Sequence, residues 1–133
     1  WFRHAADQAH AAAYQALGYA HLIGCGVPKD EREAVYWYRR GANEGNALSQ
    51  HDLGQAYFFG LGGVRKNREI AFRWILEAAA HGLAEAQYSI GWMYENGIGT
   101  AKNSDRAVKW YGEAVKQGHG RARKELAKLQ ALT

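Results

Sequence analysis

The sequence predicts an all-α solenoid of antiparallel helical hairpins, and three observations carry that prediction. Trp1, Trp37, Trp74 and Trp110 recur at steps of 36, 37 and 36 residues, a period that marks stacked units rather than one globular core. Other positions keep the same register. Leu17, Leu53, Ile90 and Leu126 each stand sixteen residues after a Trp, and Ala34, Ala71 and Ala107 stand three before one. Glycines punctuate every unit at matching places, while no strand-like alternation of apolar and polar residues occurs.

Each unit reads as two helices. The first carries apolar residues at helical spacing: Ala13, Leu17 and Ala20, then Leu53, Ala56 and Tyr57, then Ala86, Ile90, Met93 and Tyr94. Gly18, Gly54 and Gly91 follow the reference Leu or Ile and remove a side chain where another helix must pass close. The pairs Gly24 and Gly26, Gly60 and Gly62, Gly97 and Gly99 stop the first helix. The second helix opens at Asp30, Asn67 or Asn103, residues that accept hydrogen bonds from first-turn amides, and Asp30 with Glu33 fits a capping box. Its buried stripe is expected to be Ala34, Trp37, Tyr38 and Ala42, with counterparts Ala71, Trp74, Ile75, Ala79 and Ala107, Trp110, Tyr111, Val115. Gly45, Gly82 and Gly118 end it. The three later tryptophans are therefore expected in the core, and the extra residue of the middle unit fits Gly63 in its loop.

The expected organisation is one repeat domain over residues 1–133. Residues 1–10 end a truncated repeat, 11–46, 47–83 and 84–119 are three full repeats, and 120–133 form a C-terminal capping helix. Arg121, Arg123, Lys124 and Lys128 on that last helix read as its solvated outer face. Starting at Trp1, inside a unit, suggests a piece of a longer protein. Dimerisation through the truncated N-terminal end is one way its missing neighbour is replaced.

Composition narrows the function classes. An apolar content of 47% suffices for a continuous core, and a net charge of +4 with both signs interspersed is mild. No run of apolar residues is long enough for a membrane helix, so no membrane insertion is expected. The single Cys25, between two loop glycines, reads as a small loop residue. No metal is expected: the six histidines never form a His-x-x-x-His pair, His10 and His119 share one repeat position at a helix turn, and His4 and His81 sit near helix ends. Ser49, Ser89 and Ser104 lack a nucleophile elbow or Ser-x-x-Lys motif, and the glycine pairs end helices instead of cradling phosphate. No catalytic residue and no cofactor are expected.

The run Leu17-Gly18, Gly24-Cys25-Gly26-Val27-Pro28-Lys29-Asp30, Ala34, Trp37-Tyr38, Ala42 and Gly45 resembles the Sel-one-like repeat (SLR) family, a relative of the tetratricopeptide repeat. The resemblance covers essentially the whole chain. It implies a right-handed superhelix of helical pairs with a concave face, serving as an adaptor in protein complexes. It also implies bacterial company, often exported and engaged in host interaction or envelope processes, with eukaryotic relatives in endoplasmic-reticulum quality control. His21, Gly41, Ala9 and Thr100 replace the residues usual at those places. A cysteine-rich branch bridges its hairpins with disulfides, and this chain lacks the paired cysteines for it.

Site residues follow from tetratricopeptide geometry, in which first helices line the concave face. Positions five before, two before, two after and five after the reference Leu or Ile should point there. They are Ala12, Gln15, Tyr19 and Leu22, then Leu48, His51, Gln55 and Phe58, then Glu85, Tyr88, Trp92 and Glu95, with Arg121, Lys124 and Lys128 on the last helix. From these, Tyr19, His51, Gln55, Phe58, Tyr88, Trp92, Glu95 and Lys124 are the expected partner contacts, with aromatics as anchors. Phe58 and Phe59 have a second reading, as shields of the loop that follows. Trp37, Trp74, Trp110, Gly18, Gly54 and Gly91 are expected to be structural. The expected function is a non-enzymatic protein- or peptide-binding adaptor. The alternative is an accessory or regulatory module of an envelope or host-interaction pathway with weak penicillin-like or glycan binding. RNA binding is disfavoured by Glu85 and Glu95 in the groove. The compartment stays open, periplasmic, secreted or cytoplasmic if the source is bacterial.

Overall fold

The computed structural model describes residues 30–131, together with Ala13, Gln15 and Ala16, which are helical. Trp1, Gly18, Tyr19, Leu22 and Cys25 lie outside the described residues, as do the first helix's reference Leu17 and its glycine pair. Six helices follow in order: α1 (Glu31–Asn43), α2 (Ala47–Phe59), α3 (Arg68–Ala80), α4 (Ala84–Asn96), α5 (Ser104–Lys116) and α6 (Gly120–Ala131). Strands are absent among the described residues. Each helix packs on the next in the chain, and the result is an array of antiparallel hairpins.

Local chemistry sets the boundaries. Asp30 accepts from the amides of Arg32 and Glu33, Asn67 from Ile70, and Asn103 from Arg106, so each second helix starts on a side-chain cap. Gly60 and Gly97 close α2 and α4 in the left-handed region, at φ 73° and 66°. The second glycine of each pair has a different task. A Cβ on Gly62 would collide with the Glu31 carbonyl, and one on Gly99 with the Arg68 carbonyl. Each loop thus rests on the first turn of the preceding unit's second helix, which sets the spacing between units.

Inside the array, small residues occupy the helix crossings. Ala34, Ala71 and Ala107 are fully buried, as are Leu53 and Ile90. Gly54 faces Ile75 and Gly91 faces the Tyr111 ring, where an added Cβ would come within 2.5 and 2.7 Å of them. The tryptophans differ from expectation. Trp37, Trp74 and Trp110 are half-buried, and the buried place beside each is taken by Tyr38, Ile75 or Tyr111. Trp74 covers one flank of the cluster of Ala34, Val35, Tyr38, Ala42, Leu53 and Ala56. Trp110 flanks the larger cluster built on Ile75, Ile90, Met93 and Tyr111.

Two buried glutamines tie consecutive units. Gln50 Nε2 donates to the Ala42 carbonyl at 3.3 Å, and its Oε1 lies 3.0 Å from His81 Nδ1. Gln87 repeats the arrangement one unit later. It donates to the Ala79 carbonyl at 3.3 Å and accepts from Gln117 at 2.9 Å. The Ala42 and Ala79 carbonyls, which already accept from the Gly45 and Gly82 amides, thereby gain a second donor.

Candidate functional site

Two exposed aromatic side chains, Phe59 of α2 and Trp92 of α4, meet in one place. Where these two first helices face each other, Phe58, Tyr88 and Trp92 wall a cleft of about 250 Å3 with Gln55, Phe59 and Ser89 at its rim and Ile75 and Met93 beneath. Ile75 and Met93 are buried core residues, so the floor is rigid and apolar. Phe58 is held edge-on to Trp92 at 6.1 Å and to Phe59 at 4.9 Å. The Arg68 guanidinium sits 5.6 Å from the Phe58 ring centre, a cation–π contact that fixes the ring from the loop side. Phe59 is 63% exposed and Trp92 38%. Apolar surface left open on a fixed scaffold is the composition of an anchor pocket.

The expected contacts divide into those that reach the cleft and those that do not. Gln55, Phe58, Tyr88 and Trp92 line it together. Tyr88 also stacks on His119 at 4.8 Å, which couples this wall to the start of α6. Lys124 is exposed on α6 and lies outside the cleft. Tyr19 falls outside the described residues. His51 does not face solvent. It is buried, its Nδ1 lies 3.8 Å from Asp52 Oδ1, and its Nε2 has no hydrogen-bond partner. Its neighbour Asp52 accepts from Gln15 Nε2 at 2.9 Å. Glu95 is half-buried and accepts from the Tyr111 hydroxyl at 2.6 Å, so an internal bond engages it. Burial, strengthened by that bond, pushes the Tyr111 phenol well above its ordinary range.

Phe59 is the residue that periodic reasoning undervalued. It follows Phe58 at the end of α2 and was readable as a shield for the loop, yet it stands open at the cleft rim. The signal available was its side-by-side pairing with another Phe at a helix end, which cannot place both rings in the core.

Beside the cleft wall, His119 is engaged through both ring nitrogens. Ala122 N donates to His119 Nδ1 at 3.1 Å, so His119 caps α6 through that nitrogen, and its other nitrogen lies 2.8 Å from Glu85. The assigned tautomer therefore carries its proton on Nε2 and donates to Glu85. Both ring nitrogens are used, and neither remains to activate a nucleophile. Among the described residues no three His, Cys, Asp or Glu side chains gather as metal ligands. No helix there is long and apolar enough to cross a membrane.

Comparison with known proteins identifies the unit. The Sel1 repeat family profile matches residues 11–46, 47–83 and 84–119. Among solved structures, a Sel1 repeat protein from Oxalobacter formigenes superposes with a TM-score of 0.83 at 36% identity, over 87% of this chain and 47% of that one. A protective antigen of uropathogenic Escherichia coli with an SLR fold superposes at 0.86 and 34% identity, over 97% of this chain and 27% of that one. Curated relatives include chitin synthase regulatory factor 3 of Schizosaccharomyces pombe, 48% identical over 65 residues. The chitin synthase regulator SKT5 of Saccharomyces cerevisiae is 47% identical over 45 residues. Those stretches are 49% and 34% of this chain but 7% and 6% of the two relatives. These fungal likenesses give the expected bacterial source no support.

Proposed function

This chain belongs to the Sel1 repeat family, and on that premise we propose that it is a non-enzymatic adaptor that holds a protein or peptide partner on the face formed by its first helices. The observation that carries the reading is the aromatic cleft between α2 and α4. Its walls, Phe58, Tyr88 and Trp92, come from positions that change from unit to unit, while its floor comes from core residues. Variable residues on a repeated scaffold are where repeat proteins build recognition. The paired state of Glu85, Glu95 and His119 favours a binding rather than a catalytic role, because these titratable side chains are engaged within the fold. The likeness to chitin synthase regulators favours a regulatory setting.

The test uses the full-length parent protein as bait, with Trp92→Ala and Tyr36→Ala as paired variants. Tyr36 is 51% exposed on α1, a second helix, away from the cleft. A partner retained by the parent and by Tyr36→Ala, and lost with Trp92→Ala at unchanged melting temperature, is the expected outcome. Retention by all three contradicts the assignment of this face.

A further inference from the structure

We infer that the partner segment is acidic around an apolar anchor: the anchor fills the cleft of Phe58, Tyr88 and Trp92, and its carboxylates meet Lys124 and Lys128 on the adjoining helix α6. The inference rests on the adaptor reading and adds the chemistry of the occupant. It comes from an asymmetry of charge along the face of first helices.

The carboxylates of that face outside α6 are hydrogen-bonded on α2 and α4, whereas α6 carries Arg121, Arg123, Lys124 and Lys128 against the single Glu125. Asp52 accepts from Gln15, Glu85 from His119, and Glu95 from Tyr111, at 2.9, 2.8 and 2.6 Å. The cations of α6 are not so engaged. Arg121 and Lys124 are exposed and make no ion pair among the described residues. Lys128 reaches only Glu125 of its own helix, at 3.5 Å, with its side chain 72% exposed. A contact of that kind is weak and is exchanged at little cost.

Register places these cations beside the anchor. Lys124 occupies the position equivalent to Tyr88, two before the reference residue, and Lys128 the position equivalent to Trp92, two after it. The Tyr88–His119 stack joins the cleft wall directly to the start of α6. A helix with its side chains is about 10–12 Å across, a width that three or four residues of extended chain span. The face therefore offers, in sequence, an apolar pocket and then a row of exposed cations. Paired charges of opposite sign at such a rim steer encounter and reject partners of the wrong sign.

Two fluorescein-labelled synthetic peptides test this with the full chain. Both carry a central Leu-Phe anchor, one flanked by glutamates and the other by lysines, and binding is read by fluorescence anisotropy. The glutamate probe is expected to bind at least about tenfold more tightly and to weaken as salt is raised. The double variant Lys124→Glu/Lys128→Glu should invert the preference, and Trp92→Ala should weaken whichever probe is bound. Should the reversed helix lose stability, Lys124→Ala/Lys128→Ala must still abolish the preference. Equal binding of both probes, each lost with Trp92→Ala, overturns the acidic assignment and leaves the adaptor reading standing. Binding of neither probe, or binding indifferent to Trp92→Ala, overturns both.

Discussion

Gly91 shows how little room one residue can have in this fold. A methyl group there would lie 2.7 Å from two carbons of the Tyr111 ring, which is itself fully buried. Gly91→Ala is therefore expected to cost about 1–3 kcal/mol through overpacking. Gly112→Ala is the internal control, because nothing lies within 4 Å of the added atom. On helix propensity it should stabilise by up to about 1 kcal/mol. Thermal melts of the two variants should move in opposite directions, and a parallel fall would place the helix crossing elsewhere. Tyr111 gives a second residue-scale prediction. Burial, then the bond to Glu95, holds its phenol above the ordinary value of 10.0. Above about pH 10 the unfolded chain loses this proton while the folded chain keeps it, so stability falls as pH rises. Below that pH the contribution is fully present. Tyr111→Phe should lower the melting temperature near neutrality, by losing a partner of Glu95, and should flatten the alkaline decline. An unchanged alkaline slope would show that another group governs it. The sequence made the glycine legible, because it recurs in register, but not Glu95. A carboxylate at a groove position and one bonded across to the next helix look alike until the helices are placed.

At the scale of helices, the caps and stops were readable and the burial of the tryptophans was not. Asp30, Asn67 and Asn103 cap their helices through contacts within four residues, and such local chemistry is written in adjacent letters. Whether an aromatic enters a crossing or flanks it depends on the separation of two helices, which periodicity does not encode. For Trp74, with most of its surface covered, truncation to Ala should cost about 3–5 kcal/mol. Ile75→Ala, at a site only 3% exposed, should cost about 2–5 kcal/mol. Denaturant melts that show a far larger loss for Trp74→Ala would return the tryptophan to the core. The glutamine ties were illegible for a related reason. Gln50 and Gln87 occupy the same place in their units, yet a polar residue on a helix reads as solvent-facing until a neighbouring carbonyl is found. Gln87→Ala breaks two contacts at the boundary between units and leaves the Ala79 carbonyl without its side-chain donor. It is expected to cost about 1–3 kcal/mol. Hydrogen exchange should quicken at the end of α3 and the start of α4 more than at α6, and a uniform change would argue against a local tie.

Across the whole molecule, repetition builds the scaffold and departures from repetition build the surface. The solenoid class followed from the spacing of tryptophans, alanines and glycines, because every unit must meet its neighbours in the same way. The binding face was legible only in outline. Gln55, Phe58, Tyr88 and Trp92 come together as the register of first helices implies, whereas His51 is buried and Glu95 is bonded to Tyr111. The central claim is that a partner docks on the first-helix face. Site-specific photo-crosslinking tests it most directly, with a photoreactive amino acid placed at Gln55, exposed at the cleft rim, or at Tyr36, exposed on the opposite helix layer. With the full-length parent protein and its partner, a crosslink is expected from position 55 and not from position 36. A crosslink from position 36 alone, or equal yields from both, would contradict the account.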